Sequence, residues 1–243
     1  MIDLHSHILP EVDDGARNLE ESLSMARMAV ASGVTAMVAT PHCAGDRRRE
    51  VYEAWLLLRE ALEENRVPLQ LFLGMEIYGT PATARMLRDG SLFTLNSSRY
   101  PLIEFSFQSD AYLETRILHD VCSAGFRPVV AHPERYLYIQ EDPALLNRWF
   151  RMGCLMQINR GSILGRFGRD AQKLAVQLVE RGFATVIASD AHTSRQRTPW
   201  MKDVNDLIRQ GLSPQHAQLF LVQNPKKIIE NEDVQSADPI WFE

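Results

Sequence analysis

Short apolar runs alternate along this chain with polar stretches whose apolar positions recur at helical spacing. The runs predict strands at about 2–5, 34–39, 69–74, 101–105, 128–131, 154–158 and 184–188. The stretches between them predict helices near 19–32, 49–65, 81–88, 111–124, 143–151, 169–181, 200–210 and 215–222. Leu19, Leu23, Ala26 and Val30 form one such stripe, preceded by Asn18 and carrying Glu21 three residues on, a capping-box arrangement. Gly33, Gly125, Gly153, Gly182 and Gly211 fall where helices should stop. Asp142-Pro143 and Ser213-Pro214 read as N-caps followed by proline at the first helical position.

Strands alternating with helices imply right-handed β-α-β units and a parallel sheet. A chain of 243 residues has room for one α/β barrel or two small domains. With no linker rich in Pro, Gly or Ser, a single domain over 1–243 is expected, its tail after Asn231 loosely held.

Composition narrows the class. An apolar fraction of 45% and a charged fraction of 23% are ordinary for a globular protein. No run approaches the roughly 18 apolar residues of a membrane span, and M-I-D-L-H lacks a signal-peptide core. Cys43, Cys122 and Cys154 are odd in number and widely spaced, which fits a reducing cytoplasm rather than a disulfide framework. A net charge of −5 argues against non-specific nucleic-acid binding.

The candidate chemistry sits where the strands end. His5 and His7 lie in I-D-L-H-S-H, His42 in V-A-T-P-H, His132 in V-V-A-H-P-E-R and His192 in I-A-S-D-A-H. Asp13, Asp14, Glu76, Glu104 and Asp190 are interleaved with them. Alternate strand residues share a face, so His5 and His7 can grip one ion, as can Asp190 and His192. One His-x-His is weak; five such strand ends point to a multinuclear metal centre. Glu76 and Glu104 end apolar runs, where an unpaired charge is costly to bury and a metal offsets that cost. Asp13 is read as a helix cap, and His119 and His216, in helical segments, as structural.

Imidazole and carboxylate ligands without thiolate suit Mn²⁺, Fe²⁺ or Zn²⁺. Three such ions with a bridging hydroxide would bring the net charge of −5 to about zero and leave a locally positive pocket, suited to a phosphate ester. Clustered cations make a bridging water nucleophilic at neutral pH and neutralise phosphoryl oxygens. Arg135, and Arg195 or Arg197, are placed to clamp the phosphoryl group.

M-I-D-L-H-S-H-I-L-P, D-D-G-A, V-A-T-P-H, A-H-P-E-R and S-D-A-H resemble the PHP (polymerase and histidinol phosphatase) superfamily. More closely, with I-N-R-G-S-I-L-G-R-F-G at 158–168, they resemble the bacterial manganese-dependent protein-tyrosine phosphatases of capsule and exopolysaccharide clusters. The resemblance runs from residue 1 to about 230 and implies a distorted (β/α)₇ TIM-like barrel, its metals at the C-terminal strand ends. It implies one metal on His5, His7, Glu76 and Asp190, a second on Glu76, Glu104 and His132, and a third on Asp14, His42 and His192. It further implies Arg135 and Arg197 as phosphate ligands, and attack by a metal-bridging hydroxide. The implied partner is the phosphotyrosine tail of an autophosphorylating tyrosine kinase. The alternative is another PHP phosphoesterase, acting on histidinol phosphate or nucleotides. Whether the chain forms a homo-oligomer stays open.

A second signature competes. His42, Cys43 and Arg49 spell His-Cys-x₅-Arg, the motif of cysteine-dependent tyrosine phosphatases. The intervening loop has one glycine, three successive arginines and Glu50 in place of a hydroxyl residue, and the motif leaves the metal constellation unexplained. Cys43 is therefore read as a bystander, and Arg47, Arg48 and Arg49 as a basic edge that could help dock an acidic phosphopeptide.

Overall fold

The computed structural model describes residues 1–43, 47–108, 111–234 and 238–243. All of its ladders are parallel. Strands β1 (Ile2–Asp3), β2 (Ala36–Ala39) and β4 (Gln70–Leu73) pair in the order β1-β2-β4. Strands β3 (His42–Cys43), β5 (Glu76–Tyr78), β6 (Leu102–Glu104), β7 (Val129–Ala131), β8 (Leu155–Asn159) and β9 (Ala184–Ala188) pair in the order β3-β5-β6-β7-β8-β9.

The two sheets are one distorted barrel. β3 and β5 extend the lines of β2 and β4 after short breaks, so the seven expected runs become seven staves, two of them interrupted. Pro41 interrupts the first, because proline has no N–H for the ladder. Gly74 marks the second, where an added Cβ would lie 3.0 Å from Val38 Cγ1. Hydrogen bonds bridge both breaks: Gly74 N–H donates to Ala39 O at 2.9 Å and Glu76 N–H to Pro41 O at 3.1 Å. The ring closes through a parallel bridge between Ser6 and Ala191, with Asp190 N–H on His5 O and His7 N–H on Ala191 O at 2.9 and 2.8 Å.

Strand parity divides the core. Ile103, Val130, Met156 and Ile187 pack outward in the cluster shared with the helices, around the buried Trp149 and Phe183. Leu102, Val129, Ala131, Leu155 and Val186, their immediate neighbours in sequence, form the inner cluster with Leu4, Val38 and Tyr100. Followed upward in steps of two, the inner positions become polar: Glu104 in β6, Gln157 and Asn159 in β8, Asp190 beyond β9.

The predicted helices are present within a few residues, starting with Leu19–Ala31 and Arg48–Glu64. Asn18 caps the first, its Oδ1 accepting from Glu21 N–H at 2.9 Å, and Ser213 caps Pro214–Gln218. Three expectations need correction. Asp142 is no N-cap, since the helix begins at Leu145. Gly211 ends a helix from within rather than stopping it with a left-handed residue, as Gly33 does with φ of 94°. The last predicted helix runs on through a π turn at Leu219–Gln223 to Asn224–Ile229.

Of the tail, residues 238–243 pack on the helical layer. Phe242 lies tilted against Phe183 with centroids 5.2 Å apart, and its backbone exchanges hydrogen bonds with the Asn147 side chain. Trp241 meets Phe150 and Phe183 edge to face, an arrangement that aromatic rings favour. Among the described residues, no helix is long and apolar enough to cross a membrane.

Candidate metal centre

All nine expected ligands converge at the C-terminal ends of the strands. Four groups bring their ligand atoms within 4.8 Å of one another: His5, His7 and Asp190; His5, Glu76 and His132; His42, Glu76 and Glu104; and His7, Asp14, His42 and His192. Glu76 is central. Its Oε2 lies 3.1 Å from His5 Nε2, 3.2 Å from His7 Nε2 and 3.2 Å from His42 Nδ1, while Oε1 lies 3.0 Å from His132 Nε2. The cluster is graded toward solvent, with His5, His7, Glu76 and Asp190 buried and the side chains of His42 and Asp14 exposed by 41% and 63%. His119 and His216 lie elsewhere, beside Asp120 and Ser213.

The backbone is bent to serve the site. His132 follows β7 with φ of 35°, and Asp190 follows β9 with φ of 51°. Both are left-handed without being glycine, a cost that surrounding structure must offset and that concentrates at functional sites.

Neighbouring polar groups aim the ligands. Asp13 Oδ2 sits 2.6 Å from His7 Nδ1 and accepts from His42 N–H at 2.8 Å. Asp13 is therefore an orienter of the cluster rather than the helix cap expected of it: a carboxylate on Nδ1 turns Nε2 toward a metal. Gln157 Oε1 lies 3.0 Å from His5 Nδ1 and accepts from His132 N–H at 3.2 Å. Asn159 Nδ2 donates to Asp190 Oδ2 at 2.5 Å. Sequence reading passed over Gln157 and Asn159, although a polar residue at every second position of the buried run L-M-Q-I-N is itself a signal. It also passed over Glu134, whose carboxylate accepts from Asn159 N–H at 2.9 Å and whose carboxyl burial pushes up to about 7.

Electrostatics suit cations. Burial opposes the charge on Glu76 and Asp190, yet the facing histidines outweigh it and hold both carboxyls well below the usual range. Glu104 goes the other way, to about 8, through burial and the adjacent Glu76 carboxylate. Burial and the charge on His7 push His192 down to about 4, leaving a neutral imidazole. Asp190 Oδ1 and His192 Nε2 are buried without a hydrogen-bond partner, and both face the cluster. Buried acceptors of this kind, on hard carboxylate and borderline imidazole donors, fit divalent ions.

The arginines stand on the other side of Asp190. Arg135 Nη1 donates to Asp190 Oδ2 at 3.1 Å, and Arg197 Nη2 donates to the same oxygen. Of the two arginines left open, Arg197 is the one on Asp190, while Arg195 is exposed and has no hydrogen bond to it among the described residues. The basic edge is spent locally: Arg47 pairs with Glu50, Arg49 with Glu53, and Arg48 lies over the Phe93 ring. The Cys43 side chain and residues 44–46 lie outside the described residues.

A parallel α/β barrel with imidazoles and carboxylates gathered at its C-terminal strand ends is a hydrolase scaffold of the PHP and TIM-barrel type. Within that class, the chain belongs to the CpsB/CapC family of capsular polysaccharide synthesis, whose model matches residues 1–230. It is 33% identical over 238 residues to the tyrosine-protein phosphatase YwqE of Bacillus subtilis, covering 96% of this chain and 93% of that one. It is likewise 33% identical over 245 residues to CpsB of Streptococcus pneumoniae, covering 96% and 99%. Its structure matches, with a TM-score of 0.94 and 32% identity over 100% of both chains, a crystal structure from work on YwqE and CpsB, described as unique metal-dependent tyrosine phosphatases. A dihydroorotase from Campylobacter jejuni, at TM-score 0.55 and 12% identity over 97% of this chain and 85% of that one, shares the fold alone.

Proposed function

We propose that this chain is a metal-dependent protein-tyrosine phosphatase that acts on the phosphotyrosine tail of an autophosphorylating tyrosine kinase and so regulates capsule or exopolysaccharide synthesis. The observation that carries the reading is the division of Asp190, one oxygen toward the imidazole cluster and the other shared by Arg135 and Arg197. A phosphoryl group held by the two arginines would lie against the cluster of imidazoles and carboxylates, which supports the reading. The names of the relatives support the substrate class.

Three divalent ions, Mn²⁺ in first place with Fe²⁺ or Zn²⁺ as alternatives, suit the donors. His5, His7, Glu76 and Asp190 would hold one, Glu76, Glu104 and His132 a second, and Asp14, His42 and His192 a third, with Glu76 shared. When bound, the ions supply activation of water at neutral pH and neutralisation of phosphoryl charge. The chain supplies the rest: Asp13 and Gln157 fix the histidine rings, and Arg135 and Arg197 bind and orient the phosphoryl oxygens.

The test is a panel of phosphotyrosine peptide, phosphoserine peptide, histidinol phosphate and nucleotides, assayed after extended EDTA treatment and again with Mn²⁺. Activity is expected to vanish and return, with phosphotyrosine preferred; full activity in protein shown by elemental analysis to be metal-free would overturn the reading. Cys43→Ser is expected to remain active and Asp190→Ala to be severely impaired. The reverse pattern would move the chemistry to the His-Cys-x₅-Arg string.

A further inference from the structure

The geometry points to Phe167 as a positioning residue that aligns both phosphate arginines on one aromatic ring. The Arg135 guanidinium carbon lies 4.3 Å from the Phe167 centroid and that of Arg197 5.8 Å from it. These two arginines come from distant parts of the chain, after β7 and after β9. Phe167 comes from a third, the turn between β8 and the helix Arg169–Glu180. A ring face attracts a guanidinium through its quadrupole while adding no competing negative charge. Asp190 also gathers the two arginines, but it does so through ionic hydrogen bonds to a carboxylate that faces the metal cluster. Phe167 gives them a neutral platform that takes the guanidinium face and competes for none of the in-plane N–H donors that a phosphoryl group would use.

The turn is built to seat that ring. Gly161 lies under it so closely that an added Cβ would fall 2.4 Å from Phe167 Cε2. Gly168, with φ of 96°, turns the chain immediately after it. The half-buried Phe167 then stands between two cavities, of about 270 Å³ beside Arg197 and about 370 Å³ beside Arg135. Phe107 lies 4.7 Å from the same Arg135 guanidinium, so two rings contact Arg135. Arg197 has only the Phe167 ring within this kind of contact among the described residues. The inference rests on the phosphatase reading insofar as Arg135 and Arg197 are taken to bind phosphate.

The experiment titrates inorganic phosphate into the Mn²⁺-loaded protein by calorimetry and, separately, measures kcat and KM with a phosphotyrosine peptide. Phe167→Ala is expected to weaken phosphate binding on the order of 10-fold and to lower kcat/KM by at least as much, with metal content unchanged. Phe167→Tyr, which keeps the π face, is expected to restore both. Phe167→Leu, which keeps apolar bulk without that face, is not. Gly161→Ala, which displaces the ring, is expected to copy Phe167→Ala. Leucine performing as well as phenylalanine would overturn the inference. So would unchanged phosphate affinity in Phe167→Ala with a loss confined to aryl esters, because the ring would then serve the tyrosyl group and not the arginines. If the wild type binds phosphate but hydrolyses no phosphotyrosine, the functional reading fails while the calorimetric series still decides the role of Phe167.

Discussion

Asp13 and Arg135 carry separable duties around one cluster. Asp13 touches His7 through Nδ1 and so controls where Nε2 points. Asp13→Ala is expected to lower metal affinity about 10- to 100-fold, the usual cost of losing a carboxylate behind a ligating histidine. Competition with a fluorescent chelator measures it, and wild-type affinity would remove Asp13 from that role. Arg135 contacts Asp190 rather than the imidazoles, so Arg135→Ala is expected to keep its full metal complement while turnover falls on the order of 10²-fold or more. His132→Ala, in contrast, is expected to lose both metal and activity. At this scale the cluster was legible because its histidines, with Glu76, Glu104 and Asp190, stand at or just past the ends of apolar runs. Asp13 was misread because the connection after β1 folds back on itself and brings it onto His7, six residues earlier. Gln157 was missed because its two contacts, His5 and His132, come from β-ends far off in sequence.

The start of the helix Leu19–Ala31 does more than cap itself. Asn18 performs its expected half of the capping box, but Glu21 turns away from Asn18 and accepts from Ser194 N–H at 2.6 Å. That bond ties the helix to the loop that carries Arg197. Glu21→Ala is expected to raise KM for a phosphotyrosine peptide several-fold while leaving metal content intact; elemental analysis beside steady-state kinetics checks it, and unchanged KM would show that the loop holds itself. Asn18→Ala is expected to cost about 1 kcal/mol in stability with little change in turnover, read by urea denaturation. Periodicity located the helices and strands, since burial of one face imposes it. It ended two runs at 39 and 74 but did not show that both staves resume past Pro41 and Gly74, because resumption is set by what the neighbouring strand offers for pairing.

Two contacts between segments distant in sequence fasten the molecule. Ser6 meets Ala191 to close the ring, and Phe242 meets Phe183 and Asn147 in the outer layer. Removing residues 238–243 is expected to destabilise the metal-loaded protein by roughly 1–3 kcal/mol, below the cost of deleting fully buried aromatics because Trp241 stays 40% exposed. Urea denaturation at fixed Mn²⁺ measures it, and an unchanged midpoint would mean that these rings add nothing. The sequence by itself determined the alternation of strand and helix and set a group of histidines and acids at or near the strand ends. Those follow from local spacing and from the cost of burying charge without a partner. Only the tertiary structure decided which ligands share Glu76, that Arg197 and not Arg195 reaches Asp190, and that Phe167 lies against both arginines. Each of these is a meeting of side chains from different staves, fixed by barrel closure and by left-handed backbone at His132, Asp190 and Arg197, which no pattern along the chain encodes.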